Sequence, residues 1–280
     1  MSIARLMQMA QAGVPSGGGD VWTDPDLANA SYDSVSFSVA GEDGVPVGLF
    51  FKPDGLSLYV TGGANKNVFQ YSLSTAWDLS TASYASLSAS IASQVSAARG
   101  LQFSSDGTKM FVLDSTNDAV FQYSLSTAWD VSSASYDSVS LSVTFASNGS
   151  FCMSSDGLYL YTVDEADDVD QYTLSTAWDL STATFTATKN DLFVADDTSP
   201  SGIFFSPTGD KVFICGYLSD VVAQGTLSSN FDITTASRDA VTFSVSGQET
   251  LPYGVFFKPD GSKMYVVGLG TDNIYQYSTS

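Results

Sequence analysis

A short apolar run that ends in a glycine turn occurs five times along this chain. The first copy is GLFFKPDG at residues 48–55, and the fifth is GVFFKPDG at residues 254–261. The five copies end at Gly55, Gly107, Gly157, Gly209 and Gly261, so successive copies are 52, 50, 52 and 52 residues apart. An internal repeat of this length indicates that one supersecondary unit is stacked several times.

Each repeat predicts four β-strands. The apolar run forms the first strand, and its Asp-Gly ending is typical of a hairpin turn into a second strand, LSLYVTG in the first copy. The third strand reads NVFQYSLS. The fourth reads SYDSVSFSV and alternates large apolar residues with small polar ones, as a half-buried strand does. One position of the intervening turn STAWDLSTA holds Trp77, Trp129, Trp178 and Phe231, and because these residues recur with the framework we expect them to pack between units.

Units of four strands at this spacing predict a β-propeller, in which each unit forms one blade. A solenoid is the competing array, but it needs atypical caps at its ends. Here the repeats begin with a lone fourth strand at residues 31–39 and finish with a third strand, IYQYSTS. The N-terminal strand can therefore complete the last blade and remove an open sheet edge. We predict an all-β fold: a five-bladed β-propeller of four-stranded blades with a repeat of about 52 residues, forming a single domain over residues 21–280.

Composition excludes several classes of function. The 280 residues include 10 Lys plus Arg and 30 Asp plus Glu, which gives a formal net charge of −20. A body of this charge repels phosphate backbones, so we expect no nucleic-acid partner. Histidine is absent, which removes histidine-based triads and metal sites. No apolar run approaches the roughly 18 residues that a membrane helix needs, so we expect no membrane insertion.

Two resemblances add to this interpretation. The run at residues 46–62, PVGLFFKPDGLSLYVTG, resembles the Tyr-Val-Thr-Asn-type propeller repeats of bacterial surface proteins, and the likeness extends over the chain from residue 21. The opening MSIARLM, followed by a glycine-rich spacer, resembles the N-termini of marine bacteriophage virion proteins such as fibres and appendages. The first resemblance implies that the Pro-Asp-Gly strand is innermost. It also implies that ligands bind at the opposite loop face, although fold alone does not establish function.

Residues 1–20 are predicted to be an anchor peptide with a flexible linker. Four apolar side chains fall on one face at helical spacing, namely Ile3, Leu6, Met7 and Ala10. The linker is GVPSGGGD at residues 13–20. Thirteen residues are too few for a stable lone helix, so its order requires a partner. The phage resemblance implies that this partner is another virion protein; a disordered start is the alternative.

The loop face supplies the candidate binding residues. For a glycan ligand the candidates are Asn65, Asn67, Asp114, Asn117, Tyr217, Asp272 and Asn273. The alternative is that these residues make turns and pack between blades. Three acidic residues of one loop, Asp164, Asp167 and Asp168, form a candidate calcium site because hard cations take several oxygen ligands. The alternative is a solvated acidic loop, and no other cofactor is expected.

We predict no catalytic residues and no enzymatic activity. No Gly-x-Ser-x-Gly elbow is present, no histidine is available to activate a serine, and no carboxylate pair stands out among thirty acidic residues. The predicted function is therefore a non-enzymatic structural protein displayed on a bacteriophage virion, as a fibre tip, appendage or decoration, with a host-surface glycan as its ligand. One alternative is a free or cell-surface bacterial glycan-binding lectin. The other is a propeller glycoside hydrolase that uses loop carboxylates.

Overall fold

The computed structural model describes residues 21–144, 149–164 and 168–280, and these residues form five four-stranded antiparallel sheets arranged in a ring. Blade 1 contains β2 (Pro46–Phe51), β3 (Ser57–Gly62), β4 (Asn67–Leu73) and β5 (Ala82–Ser90). Blade 2 contains β6 (Ala98–Phe103), β7 (Lys109–Asp114), β8 (Ala119–Leu125) and β9 (Ala134–Ser142). Blade 3 contains β10 (Ser150–Met153), β11 (Tyr159–Val163), β12 (Val169–Leu174) and β13 (Ala183–Lys189).

Blade 4 contains β14 (Pro200–Phe205), β15 (Lys211–Gly216), β16 (Val221–Leu227) and β17 (Ala236–Ser244). Blade 5 contains β18 (Pro252–Phe257), β19 (Lys263–Gly268) and β20 (Asn273–Ser278), and is completed by β1 (Ser31–Ser38). A short 3₁₀ turn precedes each outermost strand, at Leu27–Asn29, Leu79–Thr81, Val131–Ser133, Leu180–Thr182 and Ile233–Thr235. The predicted five-bladed, four-stranded propeller is confirmed. No helix among these described segments is long and apolar enough to cross a membrane.

The burial of each strand follows its place in the blade. The innermost strand β2 is buried at all six positions, because it packs against the innermost strands of both neighbouring blades as well as against β3. The outermost strand β1 alternates between exposed and half-buried residues along most of its length. The period-2 pattern of the sequence therefore marks the outer strands, whereas continuous apolar runs mark the strands near the axis.

Ring closure uses the N-terminal strand, as predicted. Strand β1 pairs antiparallel with β20, and the backbone N–H of Asp26 donates to the carbonyl of Thr279 at 2.8 Å. The ring of Trp22 packs against Phe204 of blade 4, with centroids 6.4 Å apart, and against Phe257 of blade 5 at 6.5 Å. The first and last segments of the described chain thus hold the same blade together.

Neighbouring blades are linked by hydrogen bonds that recur with the repeat. The side-chain carbonyl of Gln122 in blade 2 accepts from the backbone N–H of Leu180 in blade 3 at 2.9 Å. The same contact occurs at three further junctions, formed by Gln70 with Val131, Gln171 with Ile233 and Gln276 with Leu79. Because the Gln carbonyl and the 3₁₀ N–H are both buried at these contacts, each bond satisfies two groups that would otherwise lose water without replacement.

The recurrent tryptophans pack between blades, which confirms that part of the sequence analysis. Trp129 adopts a left-handed backbone conformation (φ 67°) and lies over Gly107, so closely that a Cβ at this glycine would fall 2.2 Å from the indole. Its carbonyl accepts a hydrogen bond from the Tyr59 hydroxyl of blade 1 at 2.8 Å. Gly107, which ends the Ser-Asp-Gly turn of this blade, is therefore required both for its own positive φ (71°) and for the aromatic ring above it.

The centre of the ring is closed by close packing of the innermost strands. A Cβ added to Gly48 would meet the Cα of Gly100 and the backbone N of Leu101, each at 3.2 Å. The space left on the axis is about 30 Å³, roughly one water molecule, and is lined by apolar side chains such as Leu49, Ile203 and Val255. The described residues of the ring therefore leave no central channel wide enough for a ligand.

Candidate functional site

Blade 3 departs from the repeat at one position of its third strand. Every blade has a glutamine at the same position of its third strand. The residue before this glutamine is Asp170 in blade 3, and in the other blades it is Phe69, Phe121, Ala223 or Tyr275. On the neighbouring strand, Thr162 pairs with Asp170 at a place where the other blades carry Val or Ile. On the outer side, Thr188 pairs with Asp170. Blade 3 alone thus carries a polar Thr–Asp–Thr row across three strands.

These substitutions coincide with a cavity between blades 2 and 3. In blade 1 the equivalent Phe69 fills the space toward the preceding blade, where it joins a buried cluster with Tyr265 and Val267. Asp170 is smaller than the aromatic residues Phe69, Phe121 and Tyr275 at its position in blades 1, 2 and 5. Beside it lies a cavity of about 520 Å³, within the range of small-molecule sites. Its lining consists of Ser142, Val143, Thr144, Thr162, Asp164, Asp168, Asp170, Tyr172, Phe185 and Thr188.

Asp170 is the best-placed titratable group of this cavity. It is buried as the second residue of β12, and burial together with the nearby Asp164 raises the pKa of its carboxyl. Thr188 donates a hydrogen bond from its hydroxyl to Oδ1 of Asp170, which opposes that rise and fixes the carboxylate against the sheet. The pKa of Asp168 is also raised, by burial first and then by Asp164, Asp191 and Asp170. Burial, with a smaller contribution from the neighbouring carboxylates, therefore raises the pKa values of Asp168 and Asp170.

Tyr172 supplies a neutral hydroxyl on the same face of the strand. Its hydroxyl oxygen accepts a hydrogen bond from the backbone N–H of Thr144 at 3.4 Å, and its ring meets Phe185 edge-on with centroids 5.7 Å apart. Burial raises the pKa of Tyr172, so the phenol keeps its proton at neutral pH. In such an arrangement the carboxylate can accept a proton from water, and the protonated Tyr172 hydroxyl can donate a hydrogen bond to an oxyanion.

The acidic residues of the other loops have a different role. Asp43 is 2% exposed and accepts from the backbone N–H groups of Val45 at 2.8 Å, Ala64 at 3.2 Å and Asn65 at 2.7 Å, which joins the two loops of its blade. Buried carboxylates also join the loops of three other blades. Asp197 and Glu249 lie before the first strand, as Asp43 does, whereas Asp114 ends the second strand of its blade. These bonds also place both loop sets on one face, as the sequence analysis expects.

The predicted glycan-binding residues lie on this loop face but are spread over four blades. Asp114 is fully buried and accepts from the N–H groups of Ser96 and Ala97 at 3.0 and 2.8 Å. The amide of Asn117 donates to the same carboxylate at 2.5 Å. The hydrogen bonds of these two residues therefore hold two loops of blade 2 together.

The remaining members of the set are in blades 1, 4 and 5. The side chain of Asn65 donates to the Glu42 carbonyl at 2.6 Å, and Asn67 begins β4. The ring of Tyr217 packs edge-on against Tyr253. Asp272 and Asn273 lie at the start of β20. None of the seven residues lines the cavity between blades 2 and 3, and their role in glycan binding stays a prediction.

Two of the three predicted calcium ligands, Asp164 and Asp168, line the cavity together. The third, Asp167, lies outside the described residues. Within the described ranges, no group of three or more acidic or thiol side chains has the geometry of a metal site. The calcium site therefore stays a prediction. The predicted anchor residues Ile3, Leu6, Met7 and Ala10 also lie outside the described residues.

Sequence reasoning missed Asp170, Thr162 and Thr188. The signal was present in the aligned repeats, because Asp170 is the one charged residue among five equivalent positions. A carboxylate in the interior of a strand that is apolar in the other blades carries a desolvation cost, and such a cost is often retained at functional sites. What the sequence did not reveal is that the row faces an opening between two blades.

Comparison with known proteins identifies one family. A model described as lactonase, 7-bladed beta-propeller, matches residues 127–280, which is more than half of the chain. The matched part includes all of blade 3 and therefore Asp170, Tyr172 and Thr188. The family is described as seven-bladed, whereas the described residues of this chain form five blades. No protein with a curated description matches the sequence.

Solved structures with similar folds have low sequence identity to this chain. The β-propeller domain of Cps50 (Swd1) from Myceliophteria thermophila is 12% identical, with a TM-score of 0.50, 90% of this chain covered and 100% of that chain covered. A putative 6-phosphogluconolactonase from Bacteroides uniformis is 14% identical (TM-score 0.48), with 80% of this chain and 59% of that chain covered. The periplasmic gluconolactonase PpgL of Pseudomonas aeruginosa is 16% identical (TM-score 0.45), with 71% and 54% covered. This chain therefore spans less than two thirds of the length of the latter two proteins.

The family match overturns two predictions: that the protein is not an enzyme, and that it is a structural component of a bacteriophage virion. The first prediction rests on the absence of histidine and of a serine elbow. Ester hydrolysis does not require either group, because a carboxylate whose pKa is raised by burial can act as the base. Of the two alternatives considered from the sequence, the propeller hydrolase agrees better with the match than the lectin does.

Proposed function

Because the chain belongs to the seven-bladed lactonase propeller family, we propose that it is a hydrolase that opens the cyclic ester of a lactone in the cavity between blades 2 and 3. The observation that carries this proposal is the position of Asp170. It is the one charged residue at its repeat position, it lines the cavity, and it lies within the part of the chain that matches the family.

In the proposed reaction Asp170 acts as the general base. Its carboxylate takes a proton from a water molecule, and the water oxygen forms a bond to the carbonyl carbon of the lactone. The carbonyl electrons move to oxygen, and the resulting oxyanion accepts a hydrogen bond from a neutral donor such as the Tyr172 hydroxyl. The tetrahedral intermediate then breaks its bond to the ring oxygen. That oxygen recovers the proton from Asp170, and the product is a hydroxy acid.

The raised pKa of Asp170 favours this role. An ordinary Asp is a weak base at neutral pH, whereas a carboxylate with a higher pKa attracts a proton more strongly. Burial raises the pKa of Asp170, and the nearby Asp164 adds to the rise. Thr188 fixes the carboxylate, so that the base is already oriented before the substrate arrives.

The test is lactone hydrolysis by the full-length protein, measured as acid release from a panel of γ- and δ-lactones. Lactones open spontaneously in water, so the quantity of interest is the rate above the uncatalysed rate at the same pH. We expect Asp170→Asn to lower that excess rate about 100-fold or more, as loss of a general base does. Asp118→Asn is the matched control, because Asp118 is an exposed loop carboxylate of blade 2 outside the cavity.

A panel in which no lactone opens faster with the protein than without it would refute the proposal. So would equal activity of the Asp170→Asn and Asp118→Asn proteins. Three expectations from the sequence are untouched by this proposal and stay predictions: the resemblance to Tyr-Val-Thr-Asn-type repeats, docking of residues 1–20 to a partner, and an extracellular location.

A further inference from the structure

We infer that the cavity between blades 2 and 3 takes an uncharged, hydroxyl-bearing lactone and discriminates against phosphorylated or otherwise anionic lactones. This inference rests on the proposed function and concerns the substrate class of the same site. It starts from the described residues that line the cavity, which include three carboxylates, Asp164, Asp168 and Asp170, and no Lys or Arg.

Most cationic side chains of the described chain contact groups outside the cavity. Ion pairs with acidic residues of other regions occupy Lys52, Lys109, Lys211, Arg238, Lys258 and Lys263. Arg99 lies over the Tyr253 ring at 5.3 Å, and Lys66 belongs to blade 1. None of them is positioned to neutralise a phosphate in the cavity.

Lys189 is the cation nearest along the sequence, and it does not line the cavity. It follows Thr188 at the end of β13 and pairs with Val169, one position away from the Asp170–Thr188 pair. Successive side chains of a strand leave the sheet on opposite faces. Since Thr188 faces Asp170 and the cavity, Lys189 is directed to the other face of the blade. The site therefore has no counter-charge on the strand that borders it.

Physical discrimination follows from this arrangement. A like charge brought against fixed charges in a partly desolvated site is strongly disfavoured, and juxtapositions of this kind reduce binding by about 100-fold or more. The net charge of −20 on the whole chain adds a long-range repulsion of anions. A neutral lactone meets neither cost, and its hydroxyl groups find carboxylate acceptors and the hydroxyls of Ser142, Thr144 and Thr162. The apolar faces of Val143 and Phe185 suit the CH groups of a ring.

The negative charge of the cavity also affects the product. Opening a lactone produces a carboxylic acid that ionises at neutral pH, so a neutral substrate becomes an anion inside an acidic cavity. Repulsion then favours release of the product. We expect weak product inhibition for a neutral substrate, with an inhibition constant for the hydroxy acid well above the KM of the lactone.

The experiment compares glucono-δ-lactone with its phosphate ester, using the full-length protein and a chelator to remove adventitious metal ions. We expect kcat/KM for the neutral lactone to be about 100-fold higher. Raising the ionic strength from about 0.01 M to about 1 M shortens the Debye length from roughly 30 Å to roughly 3 Å. This change should raise kcat/KM for the phosphorylated substrate and leave that of the neutral substrate nearly constant.

Removal of one lining charge gives a second readout. Asp168→Asn should narrow the preference for the neutral lactone several-fold, whereas the exposed-loop control Asp118→Asn should leave the ratio of the two kcat/KM values unchanged. The ratio matters here rather than either rate, because both substrates share the same chemical step.

The outcomes separate the two proposals. Preferred hydrolysis of the neutral lactone, together with a kcat/KM for the phosphorylated lactone that rises with salt, supports both the hydrolase function and the charge inference. Preference for the phosphorylated lactone overturns the charge inference and leaves the proposed hydrolase function standing. No acceleration of either substrate, or of any lactone in the panel, refutes the hydrolase function and the inference that rests on it.

Discussion

Thr188 donates a hydrogen bond to Oδ1 of Asp170 at 2.5 Å, across the two outer strands of blade 3. The other blades have Ser or Thr at the position of Thr188 but no carboxylate opposite it. The pair therefore combines a framework residue with a substitution unique to one blade. It holds a buried carboxylate in one orientation at the edge of a cavity, which is what a general base requires.

Thr188 should act as a positioning residue for Asp170. Its hydrogen bond stabilises the ionised carboxylate, so Thr188→Val should raise the pKa of Asp170 further. The acidic limb of the kcat/KM profile for lactone hydrolysis should then move to higher pH, and kcat should fall about 10-fold or less. Thr188→Ser keeps the hydroxyl and should restore the profile. A wild-type pH profile in the Val variant, whatever its rate, would contradict the assignment.

Asp170→Asn should stabilise the fold at neutral pH. Because the pKa of Asp170 is raised in the folded protein by burial and Asp164, its ionised form is less favourable there than in the unfolded chain. Protonated Asp170 therefore contributes to the stability of the folded protein at pH values below the ordinary Asp pKa. This contribution to the free energy of unfolding is lost as pH rises through the raised pKa of the folded protein. The Tm of the Asn variant should exceed that of the wild type at about pH 8, and the difference should shrink as pH falls.

Thermal unfolding of both proteins at several pH values between about 8 and 5 measures this difference. If the increase in Tm of the Asn variant over the wild type stays constant or grows toward acid pH, ionisation of Asp170 is not the source of that increase. Asp118→Asn, in an exposed loop, is the control variant for this comparison.

Gly48→Ala should destabilise the ring of innermost strands. The added methyl group would lie 3.2 Å from the Cα of Gly100 and from the backbone N of Leu101, and neither atom can move without shifting blade 2. We expect a loss of about 1–3 kcal/mol in the free energy of unfolding, measured by urea denaturation. Gly247→Ala is the control, because nothing lies within 4 Å of a Cβ at that position. Equal stability of the two variants would show that the axis is less tightly packed than the contacts indicate.

Gln122→Leu should cost more stability than Gln224→Leu. Both glutamines donate to an Asp of their own outer strand, at 2.8 Å for Asp137 and 2.6 Å for Asp239. Gln122 also accepts from the N–H of Leu180, whereas Oε1 of Gln224 has no hydrogen-bond partner among the described residues. The difference between the two variants should be about 1 kcal/mol, the usual net value of one buried hydrogen bond. Urea titrations give both values, and a larger loss for Gln224→Leu would contradict the inter-blade role.

The sequence by itself determined the architecture of this protein. Five copies of a 50- to 52-residue unit, each with a Pro-Asp-Gly-like turn and a half-buried outer strand, are enough to predict five blades of four strands. The lone strand at residues 31–39 is enough to predict closure of the ring. These features are readable because they depend on local turn chemistry and on the period-2 alternation of strands, and both are written in consecutive residues.

Only the tertiary structure distinguishes the acidic residues that hold loops together from those that line a cavity. Asp114 and Asp170 both look like polar residues near the loops, yet one clamps two loops together and the other faces a cavity. The distinction depends on which side chains of the neighbouring blade fill the space opposite each residue. Blade 2 brings Thr144 to Tyr172 across 28 positions of sequence, and no local pattern encodes that contact. Packing between blades is a non-local property, so the closed ring had to be known before the acidic residues could be sorted into supports and a site.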